Sequence, residues 1–77
     1  MIRTYGIILR NKTGNGIGSN ITFYDPKTGR KKGMLTFHEG KDWQVTDSSR
    51  LKGKTNRDWN RFAVPALKAA REFFPNG

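Results

Sequence analysis

Side chains with acid–base chemistry are few in this sequence. Its single histidine, His38, is followed by Glu39, and an imidazole near a carboxylate can act as an acid–base pair. Adjacent residues of a strand, however, point to opposite faces of a sheet. Ser48 and Ser49 have no base beside them, and the scattered carboxylates supply no set of nucleophile, base and orienting group. The sequence therefore predicts a protein that is not an enzyme.

Ligands for a metal or a cofactor are equally scarce. The chain has no cysteine and one histidine, so it cannot build the usual zinc centres. The glycine-rich residues 13–19, TGNGIGS, carry backbone N–H groups of the kind that hold phosphate, but they lack the lysine and the helix of a P-loop. We expect no cofactor and no metal, and we interpret this stretch as a hairpin connection.

Cations are the abundant functional side chains. The 77 residues include 15 Lys and Arg against six Asp and Glu, which gives a net charge of +9. A positive charge of this size attracts polyanions and is the first sign of a nucleic-acid-binding protein. The alternative partner is an acidic surface of another protein. Most of the cations fall in two stretches, residues 27–32 and 50–61.

Alternation of apolar and polar residues predicts the strands that position these cations. Period-two patterns cover residues 3–10, 20–24, 30–38 and 42–46. Asp25, Pro26 and Gly29 are typical of a tight turn between the second and third strands. The apolar set predicts the inner face: Tyr5, Ile7, Leu9, Ile21, Phe23, Leu35, Phe37, Trp43 and Val45. The outer face would show Thr4, Ile8, Arg10, Asn20, Thr22, Tyr24, Lys32, Met34, Thr36, His38, Gln44 and Thr46.

A helix is predicted over about residues 56–74. Thr55 and Asp58 have the spacing of a capping box, and an interior proline, Pro65, predicts a kink or a break. Apolar residues recur every three or four positions on one face: Trp59, Phe62, Ala63, Ala66, Ala70, Phe73 and Phe74. The whole pattern predicts an α+β fold, in which a three- to four-stranded antiparallel meander packs on a C-terminal helix that is kinked or broken at Pro65.

The length of the chain predicts one domain, because a chain this short cannot be divided further. We assign the sheet to about residues 2–46, a basic loop to 47–56 and the helix to 56–74. The apolar run at residues 5–9 is too short for a signal peptide or a membrane span, so we expect a cytoplasmic protein without membrane contact. A small core favours dimerisation: if the apolar face of the helix is too wide for one sheet, Leu67 and Phe74 would form the seam of a homodimer.

The outer face of the sheet predicts a nucleic-acid site, because amides, hydroxyls and cations can meet base edges and phosphates. The expected phosphate contacts are Lys27, Arg30, Lys31, Lys32, Lys52 and Lys54, helped by Arg50, Arg57 and Arg61. The expected base contacts are Arg10, Asn20, Tyr24 and Gln44. Two alternatives remain open: the basic loop at residues 50–57 with Arg61 as the main contact, and an ordinary solvated sheet face without this function.

Residues 21–37, ITFYDPKTGRKKGMLTF, resemble the strand–turn–strand of the three-stranded-sheet DNA-binding domains found at the amino terminus of lambda-type phage integrases and in plant AP2 domains. The matching positions are residues 24–30, followed by Lys32, Met34 and Thr36. The resemblance implies a sheet that lies in the major groove of DNA with one helix supporting its back. In general style the chain also resembles accessory proteins of bacteriophages.

The function predicted from the sequence is non-catalytic DNA binding through a basic sheet and hairpin surface, with DNA favoured over RNA. One alternative is a small phage-like inhibitor or adaptor that docks on an acidic surface of a host protein or nucleoprotein complex. A second alternative is binding of single-stranded DNA or RNA, in which unpaired bases would stack on Tyr24.

Overall fold

A computed structural model describes residues 1–51 and 56–77 of the chain. Five strands come first along the sequence: β1 (Ile2–Thr4), β2 (Ile7–Thr13), β3 (Asn20–Tyr24), β4 (Lys31–His38) and β5 (Asp42–Asp47). They form one antiparallel sheet in the order β1-β2-β3-β4-β5. The helical part follows as α1 (Asn56–Asp58), a π-helical segment (Trp59–Ala63) and α2 (Val64–Phe73). The predicted α+β fold is confirmed, with one strand more than expected.

The additional strand arises because residues 3–10 are two strands and not one. Tyr5 and Gly6 both have positive φ, 50° and 77°, as the two central residues of a type I′ hairpin turn require. The chain therefore reverses, and Thr4 pairs with Ile7. Tyr5 is 44% exposed, so its prediction as an inner-face residue is wrong. Thr4 lies on the inner side, and Arg3 takes the outer position opposite Ile8.

The core lies between the inner face of the sheet and the helix. Seven of the predicted inner residues are buried in it: Ile7, Leu9, Ile21, Phe23, Leu35, Phe37 and Trp43. Val45 is partly buried. The helix contributes Phe62, Ala63, Ala66, Ala69 and Ala70, and its small alanines bring the helix backbone close to the sheet. Phe73 is 47% exposed, so its prediction as a core residue is wrong.

The C-terminal end of the helix is fixed to the sheet. The indole Nε1 of Trp43 donates a 2.8 Å hydrogen bond to the carbonyl of Phe74, and the ring of Phe37 meets the Trp43 ring edge-on at 5.4 Å. Leu67 and Phe74 pack against the core as partly buried residues. The residues of the predicted dimer seam thus contact the core of the same chain.

Pro65 lies in the first turn of α2 and follows the π-helical segment. A proline has no N–H to donate, and its ring presses on the carbonyl of the residue four positions earlier, which is Arg61. The wider turn relieves this conflict, and the Val64 N–H bonds to the carbonyl of Trp59, five residues back. The predicted interruption near Pro65 is confirmed. Thr55 lies outside the described residues, so its capping box stays a prediction.

The hairpin between β3 and β4 forms the turn that the sequence predicted. Asp25 N–H donates to the carbonyl of Arg30, and Gly29 N–H donates to the carbonyl of Asp25. The carboxylate of Asp25 accepts a further bond of 2.8 Å from the Lys27 N–H, and Gly29 has φ 72°. These bonds close a short, well-defined loop whose tip carries Lys27.

Candidate polyanion-binding surface

A β-bulge separates the two neighbouring cations at the start of β4. Phe23 pairs with Gly33 and Tyr24 pairs with Lys31, so Lys32 is the extra residue of the bulge. Its Nζ lies 4.9 Å from the ring centroid of Phe62, on the helix side of the sheet. The prediction that Lys32 belongs to the outer face is therefore wrong, because alternation is interrupted at the bulge.

Four cations line one cleft beside this bulge, with a volume of about 460 Å³: Arg30, Lys31, Lys32 and Arg50. We call this site the basic cleft. Lys31 Nζ lies 3.6 Å from an oxygen of Asp47. Within residues 1–51 and 56–77, no carboxylate lies within 4.0 Å of the other three cations. Like charges held around a concave surface raise the local positive potential.

Asp47 holds the segment that carries Arg50 next to the hairpin. Its Oδ1 accepts hydrogen bonds from the backbone N–H and the hydroxyl of Ser49, at 3.0 and 2.7 Å. The Ser49 hydroxyl, with smaller contributions from the Ser49 N–H and the Lys31 charge, lowers the pKa of Asp47. Leu51, 2% exposed, anchors the other end of the segment in the core. Arg50 therefore projects from a segment that is fixed on both sides.

The helix extends the basic cleft. The guanidinium carbon of Arg61 lies 5.0 Å from the ring centroid of Phe62, whose ring also contacts Lys32. A contact of this kind contributes about 0.5–1 kcal/mol at an exposed site and holds both cations near the same ring. Arg57 is exposed at the start of the helix. Lys52 and Lys54, two of the expected phosphate contacts, lie outside the described residues.

The predicted base contacts lie together on strands β2 to β5, but several have partners within the protein. The guanidinium of Arg10 lies over the ring of Tyr24 at 5.1 Å, and the Tyr24 hydroxyl accepts a 2.8 Å bond from the Asn11 side chain. Asn20 accepts a 2.6 Å bond from the hydroxyl of Thr36. Gln44 is exposed opposite Thr36. A base would have to replace some of these contacts.

Arg3 is a cation of the outer face that the sequence analysis missed. It is exposed and pairs with Ile8, which is 4% exposed although it is not part of the core cluster. The signal that locates Arg3 is Gly6, since a glycine inside a strand pattern often marks an interruption. The other missed feature is the bulge at Lys32, and its signal is the neighbouring Gly33, since an isolated glycine inside a strand pattern suggests a bulge.

In the described part of the chain, the histidine considered for catalysis is the last residue of β4. His38 lies opposite Asp42 in the β4–β5 register, and the Asp42 carboxylate is held by Arg71 through bonds of 2.8 and 3.0 Å. No group of three or more His, Cys, Asp or Glu residues there has the geometry of a metal site. In the glycine-rich connection, the N–H of Gly18 donates to the carbonyl of Phe37.

The fold and the surface define a small α+β protein with one cluster of cations where the β3–β4 hairpin meets the segment that carries Arg50. Comparisons of the chain with protein-family models, with curated proteins and with solved structures found no match. Across residues 1–51 and 56–77, no helix is long and apolar enough to cross a membrane.

Proposed function

We propose that this protein binds DNA without catalysing a reaction, and that the basic cleft holds the phosphate backbone. The observation that carries the proposal is the cleft itself, in which Arg30, Lys32 and Arg50 converge with no carboxylate partner among the described residues. Phosphate contacts from Lys and Arg supply most of the sequence-independent affinity for DNA. The cytoplasm, or the nucleoid within it, is the compartment that this function implies.

The expected strength of binding follows from the number of cations. Five cations lie in or beside the basic cleft: Arg30, Lys31, Lys32, Arg50 and Arg61. If each neutralises one phosphate of a duplex, the affinity falls by roughly 10²–10³ between about 50 and 200 mM salt. A steep dependence on salt is therefore the signature of this mode of binding.

The contacts of Tyr24 favour a duplex over a single strand. Proteins that hold single strands stack the bases on open aromatic rings. One face of the Tyr24 ring is covered by Arg10, and its hydroxyl is bonded to Asn11. Phe62, whose ring contacts the cleft cation Lys32, is buried under Lys32 and Arg61. Recognition of the backbone is thus better supported than stacking of bases.

The test is a fluorescence-anisotropy titration of labelled duplex and single-stranded DNA at about 50 and 200 mM salt. The double variant Lys32→Gln, Arg50→Gln removes two cations of the cleft. The matched control Lys41→Gln, Lys68→Gln removes the same charge from two exposed positions elsewhere. We expect the cleft variant to bind at least tenfold more weakly at the lower salt and to lose about 1.8 from the slope of log K against log salt.

The control variant separates a site from a general effect of net charge. It should keep most of the affinity and the slope of the unmodified protein. Equal losses in the two variants would contradict the basic cleft as the site. No binding of either DNA at the lower salt would contradict DNA binding altogether and would leave an acidic protein surface as the partner class.

A further inference from the structure

Asp47 is the one carboxylate that pairs with a cleft cation among residues 1–51 and 56–77. Its Oδ2 faces Lys31 Nζ at 3.6 Å, while its Oδ1 is engaged by Ser49. Both side chains of the ion pair are more than a third exposed. An exposed pair of this kind contributes little to stability, so a strong anion can displace the carboxylate from Lys31.

We infer that Asp47 acts as an internal competitor of the bound anion: it neutralises Lys31 in the free protein and is displaced from it when a nucleic-acid phosphate enters the basic cleft. This inference rests on the proposed function and adds how binding in the basic cleft is regulated. The competing carboxylate lowers the affinity for any single anion that reaches Lys31. A phosphodiester backbone overcomes this competition because neighbouring phosphates engage Arg30, Lys32 and Arg50 at the same time.

The competition gives the cleft a preference between classes of anion. An isolated carboxylate of a protein partner offers Lys31 nothing that Asp47 does not already supply. Closely spaced phosphates each carry a full negative charge and several acceptor oxygens, and their contacts add along the backbone. The pairing of Lys31 with Asp47 therefore discriminates against dispersed acidic side chains and in favour of a continuous phosphate chain.

The direct test is the variant Asp47→Asn, measured in the same duplex titration. An asparagine oxygen can still accept the Ser49 hydrogen bonds, so the segment carrying Arg50 stays in place while the charge is removed. We expect the affinity at about 50 mM salt to rise roughly three- to tenfold, and the salt slope to steepen by up to about 0.9, because Lys31 becomes available to phosphate.

The matched control is Asp42→Asn, which removes an ion-paired carboxylate that contacts Arg71 and not the cleft. Asp42→Asn changes the net charge of the protein by the same amount as Asp47→Asn, so a general electrostatic effect would be equal in the two variants. We expect less than a twofold change in affinity and an unchanged slope. An Asp47→Asn variant that behaves like Asp42→Asn would overturn the inference.

A second comparison does not depend on the stability of the Asp47 variant. With Asp47 retained, Lys31→Gln should lower the affinity for duplex DNA less than Lys32→Gln does, because Asp47 already neutralises part of the Lys31 charge. An equal or larger loss for Lys31→Gln would also overturn the inference. Absence of duplex binding by the unmodified protein at low salt marks the failure of the proposed function instead, so the two failures are distinguishable.

Discussion

At the scale of single residues, Gly33 shows how closely the strands and the core are packed. An added Cβ at this position would lie 2.5 Å from Cζ of Phe23 and would also overlap the backbone carbonyl of Asp47. Real Cβ atoms do not approach other atoms so closely, so the backbone of β5 or the ring of Phe23 would have to move. The packing therefore requires a residue without a side chain at Gly33. Gly33 lies in β4, next to the two lysines of that strand that line the basic cleft.

We predict that Gly33→Ala lowers the free energy of unfolding by about 1–3 kcal/mol, as overpacking of a core typically does. For a domain of this size that corresponds to a fall in Tm of roughly 4–8 °C per kcal/mol. Thermal unfolding followed by circular dichroism measures it. Gly40→Ala is the matched control, since nothing lies within 4 Å of an added Cβ there. A similar fall in both variants would contradict the packing argument.

The ion pair of Asp42 with Arg71 predicts a pH dependence of stability. The hydrogen bond from Arg71 is the largest cause that lowers the pKa of Asp42, so the folded state holds the carboxylate ionised at lower pH than the unfolded chain does. The stabilisation is fully present above the unfolded pKa of about 3.9 and is lost as the pH falls through the lower folded value. Because the pair is exposed, we expect less than about 1 kcal/mol.

The measurement is denaturant unfolding of the unmodified protein and of Asp42→Asn at about pH 6 and at about pH 2. The variant should be slightly less stable at the higher pH, and the difference should vanish at the lower one. A difference that stays constant across this range would mean that the carboxylate charge is not its source.

At the scale of secondary-structure elements, alternation predicted most of the sheet but not every face assignment. Strands β3, β4 and β5 and the helix lie close to their predicted bounds, because hydrophobic periodicity follows directly from burial of one face. Each wrong face assignment in the sheet is caused by a chain reversal or by an extra residue in a strand. The two-residue turn at Tyr5 and Gly6 moves Thr4 inward, and the bulge at Lys32 sends its side chain toward the helix.

The physical reason is that alternation of apolar and polar residues shows which residues of one strand share a face. It does not show where a strand ends or where an extra residue is inserted. One extra residue in a strand flips the face of every residue beyond it, and a turn of two residues leaves the apolar–polar pattern almost unbroken. Of the candidate site, the sequence could predict that several cations lie at the hairpin, but not that Lys32 turns toward the helix. It could not predict that Arg50 reaches the same cleft, because that contact depends on how Asp47 and Leu51 fix their segment.

The β1–β2 turn makes a prediction of its own. Gly6 has φ 77° and nothing within 4 Å of an added Cβ, so Gly6→Ala has only a backbone cost, about 1–2 kcal/mol for a left-handed conformation. Because β1 pairs with β2 alone, we expect this cost to appear as release of the edge strand. Amide hydrogen exchange should accelerate at residues 2–4 and stay slow in β3. Uniform acceleration across the sheet would contradict a local effect.

At the scale of the whole molecule, the distribution of charge matters more than its total. Three of the six Asp and Glu side chains in the sequence have specific partners other than the cleft cations: Asp25 in its own turn, Asp42 with Arg71 and Glu72 with the hydroxyl of Tyr5. Among residues 1–51 and 56–77, no carboxylate lies within 4.0 Å of Arg30, Lys32 or Arg50. Under the proposed function, a protein with the same net charge but evenly spread cations would attract DNA without a fixed orientation.

The indole of Trp43 gives the molecule a built-in optical reporter. Its ring is almost fully enclosed, and its N–H is bonded to the carbonyl that ends the helix, whereas Trp59 lies in the π-helical segment and is only partly buried. The two tryptophans therefore emit from environments of different polarity: Trp43 lies in β5 against the C-terminal end of α2, and Trp59 lies near the start of the helical part. Separation of the helix from the sheet at its C-terminal end would register in the emission of Trp43 without requiring a label.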